Sequence, residues 1–264
     1  MAKKKYIIGA IAGDIIGSAY EFNNVKSLDF KMFHKGTYFT DDSVLTIATM
    51  DALLNQTGYT QAYQYFSRKY PHRGYGGNFK SWIYSDKPKP YNSWGNGSAM
   101  RTSPIGWYCD SIDDVLDEAR KSAEVTHNHP EGIKGAQAAA AAVYLARTGK
   151  SKDEIKRFIV NMFDYNLNRT IDEIRPNYDF DVSCQGSVPE AIIVFLESTD
   201  FENAVRLAVS IGGDSDTIAC VTGGIAEAFY KTIPDNIVNM VSIIVGPDLM
   251  IDTVIPFSNK YGII

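Results

Sequence analysis

Cysteine is scarce in this chain and scattered. Its 264 residues include three, Cys109, Cys184 and Cys220, which form neither a C-x-x-C pair nor an even set. A disulfide framework and a cysteine-built zinc site are thereby excluded, and a reducing cytoplasm is the expected setting. Long apolar runs are missing too. No window offers about 18 uninterrupted apolar residues, so no membrane span is expected. The basic Lys3-Lys4-Lys5 leads into a segment broken by Gly9, Gly13, Asp14 and Gly17, with no signal-peptide cleavage region. Positive charge is not in excess: 26 Lys and Arg stand against 31 Asp and Glu, a net −5. That balance argues against a broad basic surface and a stable nucleic-acid partner, whereas a few local donors suffice for a small anion. Histidine is sparse, and His127 and His129 have no cysteine or third histidine nearby to complete a zinc site.

Period-2 strand runs, internal repeats and linker-like composition breaks are absent as well. With 45% hydrophobic residues the chain has material for a substantial core. The expectation is a single all-α domain over residues 1–264, monomeric. Helical periodicity predicts helices over 6–22, 43–55, 60–70, a short one after 77, 112–125, 135–147, 151–163, 188–198, 201–210 and 218–230, with one or two more after Pro234. Residues 23–39 and 164–187 read as connections. Gly9, Gly13 and Gly17 recur at every fourth position, forming one stripe that calls for a closely packed partner, because each interior glycine costs about 1 kcal/mol against alanine. The run Ala139-Ala140-Ala141-Ala142 suits a tightly buried central helix.

Two polar stretches stand out against this apolar background. Ile211-Gly212-Gly213-Asp214-Ser215-Asp216-Thr217 and Thr40-Asp41-Asp42-Ser43 each place two carboxylates and a threonine at the start of an apolar helix. Taken singly, either is accounted for by helix capping, for which Asp, Ser and Thr are preferred. Taken together, four clustered carboxylates demand cations, and an oxygen-only set favours Mg²⁺, Mn²⁺ or Ca²⁺. A pair of such ions suits phosphoester hydrolysis or hydrolysis of a glycosidic bond beside vicinal hydroxyls. Glu21, seven residues after Asp14, is expected to share its helix face and to be a site residue. The turn-rich segment 87–98 brings Tyr91, Ser93, Trp94, Gly95, Gly97 and Ser98 together, with Arg101 adding a fixed charge. Phosphate cradles use such parts.

The series Gly9-Ala10, Gly13-Asp14, Gly17 to Glu21, Thr40-Asp41-Asp42-Ser43, Arg73-Gly74-Tyr75-Gly76, Gly95-Asn96-Gly97-Ser98-Ala99-Met100-Arg101, Thr126-His127 and Gly212-Gly213-Asp214-Ser215-Asp216-Thr217 resembles the ADP-ribosylglycohydrolases in kind and in order. The resemblance implies an all-α fold with two Mg²⁺ or Mn²⁺ ions at the bottom of an ADP-ribose cleft. It implies Thr40, Asp41, Asp42, Asp214, Asp216 and Thr217 as metal ligands, and Glu21, Asp42 and Asp216 as catalytic. Substrate contacts would come from Gly74, Tyr75, Gly76, Ser93, Trp94, Gly95, Asn96, Gly97 and His127. The partner would be an ADP-ribosylated protein or a small ADP-ribosyl conjugate, with arginine favoured as the acceptor and serine or small molecules as alternatives. Segments 23–39 and 164–187 are expected at the cleft mouth. Two rival readings are a catalytically silent relative, crystallin-like or merely binding ADP-ribose, and a two-metal phosphoesterase.

Overall fold

A computed structural model describes residues 6–262; the basic stretch Lys3-Lys4-Lys5 lies outside them. The described residues form helices in this order: α1 (Gly9–Ser18), α2 (Asp41–Asn55), α3 (Tyr59–Lys69), α4 (Gly77–Ile83), α5 (Ser103–Tyr108), α6 (Ile112–Glu124), α7 (Pro130–Arg147), α8 (Lys152–Phe163), α9 (Ile171–Ile174), α10 (Cys184–Glu197), α11 (Phe201–Ile211), α12 (Ser215–Tyr230), α13 (Asp235–Val245), α14 (Pro247–Leu249) and α15 (Ile255–Tyr261). No strand occurs among them, and the all-α expectation holds; an isolated antiparallel bridge joins Gly95 to Ser183. No single helix is long and apolar enough to cross a membrane.

Two helices fill the middle. α12 is buried from Ser215 to Ala228, and α7 buries its run of alanines from Ala138 to Ala142. Small side chains let neighbours approach: a Cβ on Gly106 of α5 would sit 2.7 Å from the Ala140 carbonyl oxygen. The most extensive helix contact in the molecule is α1 on α12, and the glycine stripe explains it. A Cβ on Gly9 would strike the Gly223 carbonyl oxygen, one on Gly13 the Ala219 carbonyl, and one on Gly17 the Asp216 backbone. The close partner that the spacing calls for is therefore α12. The α1 N-terminus is held by Glu227 of α12, whose carboxylate oxygens accept from the Ile8 and Gly9 N–H groups at 3.0 and 2.7 Å.

Several expected boundaries move. α1 ends at Ser18, so Glu21 is not on its face; it lies in the bend that follows. The expected polar connection 164–187 contains α9, started by a Thr170–Glu173 capping box, and the first turn of α10, capped by Ser183. α7 begins at Pro130, a residue suited to the first helical position, and α5 lies in a stretch where no helix was expected.

Candidate metal centre and ligand cleft

The N-termini of α2 and α12 meet against the middle of α1. Thr40 caps α2, its hydroxyl accepting from the Asp42 N–H. Asp214 precedes α12 but makes no side-chain cap bond, which leaves its carboxylate free for other partners. Gly212 and Gly213 make this approach possible with φ of 80° and 69°, values at which a Cβ is strained. The turn is fastened from the segment after α1. Asn24 donates to the Gly213 carbonyl at 3.1 Å and accepts from the Gly213 N–H at 2.5 Å, while Lys26 caps the Ile211 carbonyl at 2.5 Å. The same Asn24 amide reaches the Glu21 carbonyl at 2.8 Å, so a single side chain sets both the aspartate turn and the glutamate bend.

Five carboxylates result, in two overlapping groups. Asp14, Asp42 and Asp216 each bring an oxygen within 4.8 Å of the other two, and so do Glu21, Asp214 and Asp216. Asp216 belongs to both. Asp14 is fully buried and works inward: it accepts from the Thr40 hydroxyl at 2.6 Å, from the Thr40 and Ser43 N–H groups at 3.0 Å each, and from the Ser43 hydroxyl. Most of its lone pairs are thus spoken for, and it orients Thr40 and Ser43. The Thr217 N–H donates to Asp216 at 3.0 Å, and its side chain lies beside Asp42 and Asp214. Asp41 stands apart from both groups, at the edge of the cleft, with its N–H on the Arg73 carbonyl at 2.7 Å.

Burial dominates the electrostatics. It raises Asp42 and Asp216 well above the ordinary carboxylate range, helped by their acidic neighbours. Burial lifts Asp14 to about 6 against hydrogen bonds from Ser43 and Thr40, and lifts Glu21 to about 7 with Asp214 and Asp14 adding to the effect. One oxygen of Asp42, Oδ1, is buried without a hydrogen-bond partner. An orphaned carboxylate oxygen amid crowded carboxylates and threonine hydroxyls fits hard divalent cations, which neutralise the charge and take oxygen donors only.

The groups floor a cleft of ≈ 440 Å³. Glu21, Thr40, Asp41, Asp42, Asp214, Asp216 and Thr217 line it, as do Gly74 and Gly76 and, on the far side, Ser93, Gly95, Asn96, Gly97 and His127. The side chains of two expected contact residues lie elsewhere. Tyr75 turns inward, 2% exposed, its hydroxyl on the Tyr70 carbonyl. The Trp94 ring points outward, half-exposed and edge-on to His129, while its carbonyl accepts from the Cys184 N–H. Neither side chain lines the cleft. At the mouth, Phe22 and Phe180 stack at 6.1 Å beside Tyr38 and Val182, so both segments expected there contribute. Asn24 and Lys26 are functional-looking residues that no sequence signal marks, and Asp14 stands out in the sequence without a role. An aspartate inside an otherwise apolar helix was the available signal for Asp14.

A family model for ADP-ribosylglycohydrolase matches residues 4–250. Human ADP-ribosylhydrolase ARH3 is 27% identical over an alignment of 304 residues, covering 85% of this chain and 84% of the human protein. ADP-ribosylhydrolase ARH3 of Xenopus tropicalis is 26% identical over 308, covering 87% and 88%. Among solved structures, a chain of an "ADP-ribosylglycohydrolase-related protein complex" superposes with a TM-score of 0.75 at 21% identity over 97% of this chain and 96% of its own, a likeness of fold. With a match along nearly its whole length, this chain belongs to the ADP-ribosylglycohydrolase family and is an ADP-ribosyl glycohydrolase.

Proposed function

We propose that the cleft uses two divalent cations, Mg²⁺ or Mn²⁺, to hydrolyse the glycosidic bond between ADP-ribose and an arginine side chain of a modified protein, releasing free ADP-ribose. The observation that carries the metal requirement is the sharing of Asp216 between two carboxylate groups, with Asp42 Oδ1 buried and unpartnered beside it. Asp42, Asp214 and Asp216 would hold the ions with Thr40 and Thr217 as neutral donors and Asp41 completing the rim, while Asp14 buttresses Thr40 from behind. Bound there, the ions supply positive charge and a grip on vicinal ribose hydroxyls.

The chain's own residues carry the rest. Glu21 is half-buried at the junction of floor and mouth, where burial pushes its carboxyl above the ordinary range. It would orient the attacking water or manage the proton as an oxocarbenium-like transition state forms, the task carboxylates perform in glycosidases. The loop Ser93–Gly97 would receive the diphosphate, and Asn96 ties that loop to the floor through its 2.7 Å bond to Asp214. Flat faces at Phe22 and Phe180 beside Glu21 suit a planar guanidinium, which stacks on aromatic rings.

The deciding experiment incubates the protein with ADP-ribosyl-arginine, ADP-ribosyl-serine and small ADP-ribosyl conjugates, with Mg²⁺ and with chelator, and identifies the products. Free ADP-ribose released from the arginine conjugate only with the cation is expected. Release of AMP would favour a phosphoesterase, and turnover of serine conjugates alone would reassign the acceptor.

A further inference from the structure

Among the described residues Arg101 is the largest fully buried side chain, at 0% exposure, and none of their carboxylates pairs with it. Its guanidinium lies over the Tyr63 ring, 4.3 Å from the centroid, and one amino group donates to the Ser122 carbonyl at 2.7 Å and to the Thr126 hydroxyl at 3.0 Å. Thr126, also fully buried, stands 2.7 Å from Nδ1 of His127. The ring of His127 then faces the glycine loop. Its Nε2 lies 3.5 Å from where a Cβ on Gly95 would be and 3.3 Å from where one on Gly97 would be. Both positions lack a side chain, and the space opens onto the cleft that His127 lines.

Counting donors along this row selects the arrangement in which the Thr126 proton finds an acceptor. The Arg101 nitrogen is donor-only, so the Thr126 oxygen accepts from it. Thr126 has one proton to give, and Nδ1 of His127 is the acceptor within reach. A neutral imidazole that accepts at Nδ1 carries its proton on Nε2. Resting on the reading that loop 93–97 receives the diphosphate of ADP-ribose, we propose that Arg101 and Thr126 are positioning residues that hold His127 as the Nε2–H tautomer, so that it offers one fixed donor to a diphosphate oxygen at Gly95 and Gly97. Burial and the Arg101 charge both push the His127 pKa well below its ordinary value, in keeping with a neutral ring. The arrangement gives the cleft a directional donor whose geometry is set before the ligand arrives, which lowers the ordering cost of binding.

The test is ¹⁵N NMR of the full chain labelled at its histidine rings, with His127 assigned by loss of its signals in His127→Gln. Wild-type protein is expected to show a proton-free, acceptor-type Nδ1 and a protonated Nε2, and added ADP-ribose should shift the Nε2 resonance. Thr126→Val keeps the shape and removes the hydroxyl; it should populate the Nδ1–H form and weaken ADP-ribose binding about tenfold, the loss of one well-placed hydrogen bond. Thr126→Ser should restore both. A wild-type Nδ1–H signature, or a Thr126→Val protein with unchanged tautomer and affinity, would overturn the proposal. Wild-type protein with the expected tautomer and no measurable ADP-ribose binding would instead overturn the reading of the loop, and with it the donor role, leaving the relay itself intact.

Discussion

The side-chain amide of Asn96 donates to a carboxylate oxygen of Asp214 across 2.7 Å, both groups buried. The glycine loop and the carboxylate floor are therefore one hydrogen-bonded unit, although 118 positions separate the two residues. Asn96→Ala removes the donor and leaves Asp214 with a lone pair facing a void. The expected outcome is a joint loss, with Mg²⁺ and ADP-ribose affinity each falling about 10- to 100-fold, the range for residues that orient metal ligands. Calorimetric titration of each ligand separately checks the coupling; a variant that loses only one affinity contradicts it.

Cations should stabilise the fold through the same floor. Adding Mg²⁺ or Mn²⁺ at about 100 times its dissociation constant contributes about 2.7 kcal/mol, which for a chain of this size raises the thermal midpoint by about 5 to 10 °C. Chelator should reverse the rise. In Asp216→Ala, which removes the carboxylate common to both groups, the midpoint should not respond to either ion, and turnover should drop at least about 100-fold. Differential scanning fluorimetry across a cation series reads this directly.

Much of this floor was legible in the sequence because helix starts advertise themselves. Asp42, Asp214 and Asp216 precede apolar runs, and the capping preference that makes them stand out also puts their carboxylates at neighbouring helix ends. Asp14 was harder to assign. Its partners Thr40 and Ser43 lie 26 and 29 positions away, and a carboxylate within an apolar helix announces burial without saying what satisfies it. Of the two grounds for Glu21, the family series and a shared helix face with Asp14, the second does not hold: the apolar pattern continues through Tyr20 and Phe22, yet the helix ends at Ser18 and Phe22 is 77% exposed. Asn23-Asn24 was the overlooked breaker. The expected start at 188 is also late: α10 begins at Cys184 and carries Pro189 in its interior. No sequence pattern announces the outward turn of Trp94.

Glu227 provides a pH test well away from the floor. Burial raises its pKa from 4.5 to about 8 despite the two N–H groups it accepts. A carboxyl whose folded pKa is raised contributes stability that is fully present below pH 4.5 and is lost progressively as pH rises to about 8. The Glu227→Gln variant cannot release that proton, and its amide nitrogen opposes one backbone N–H, costing about 1 to 3 kcal/mol. Its midpoint should therefore lie below wild type at pH 5, with the gap closing and then reversing toward pH 8. Parallel melting curves over that range would expose the assignment as wrong if the gap stayed constant.

Gly13→Ala tests the α1–α12 contact. The new methyl group would run into the Ala219 carbonyl, which is backbone and cannot swing away. A loss of about 3 kcal/mol or more is expected, at the upper end for overpacking. Because Asp14 is the next residue, cation affinity should fall as well. Gly76→Ala, where a Cβ meets nothing within 4 Å, is the control that should leave stability unchanged.

That glycine stripe has a further effect. Asp14 rides on α1 and Asp216 on α12, and where these helices touch, the contacts are main chain against main chain. The gap between the two carboxylates is therefore set by a stiff ruler of peptide groups, insensitive to the rotamer hops and thermal expansion that loosen contacts made through side chains. Core substitutions elsewhere should alter how long the protein survives heating while leaving the bite of its acidic floor unchanged.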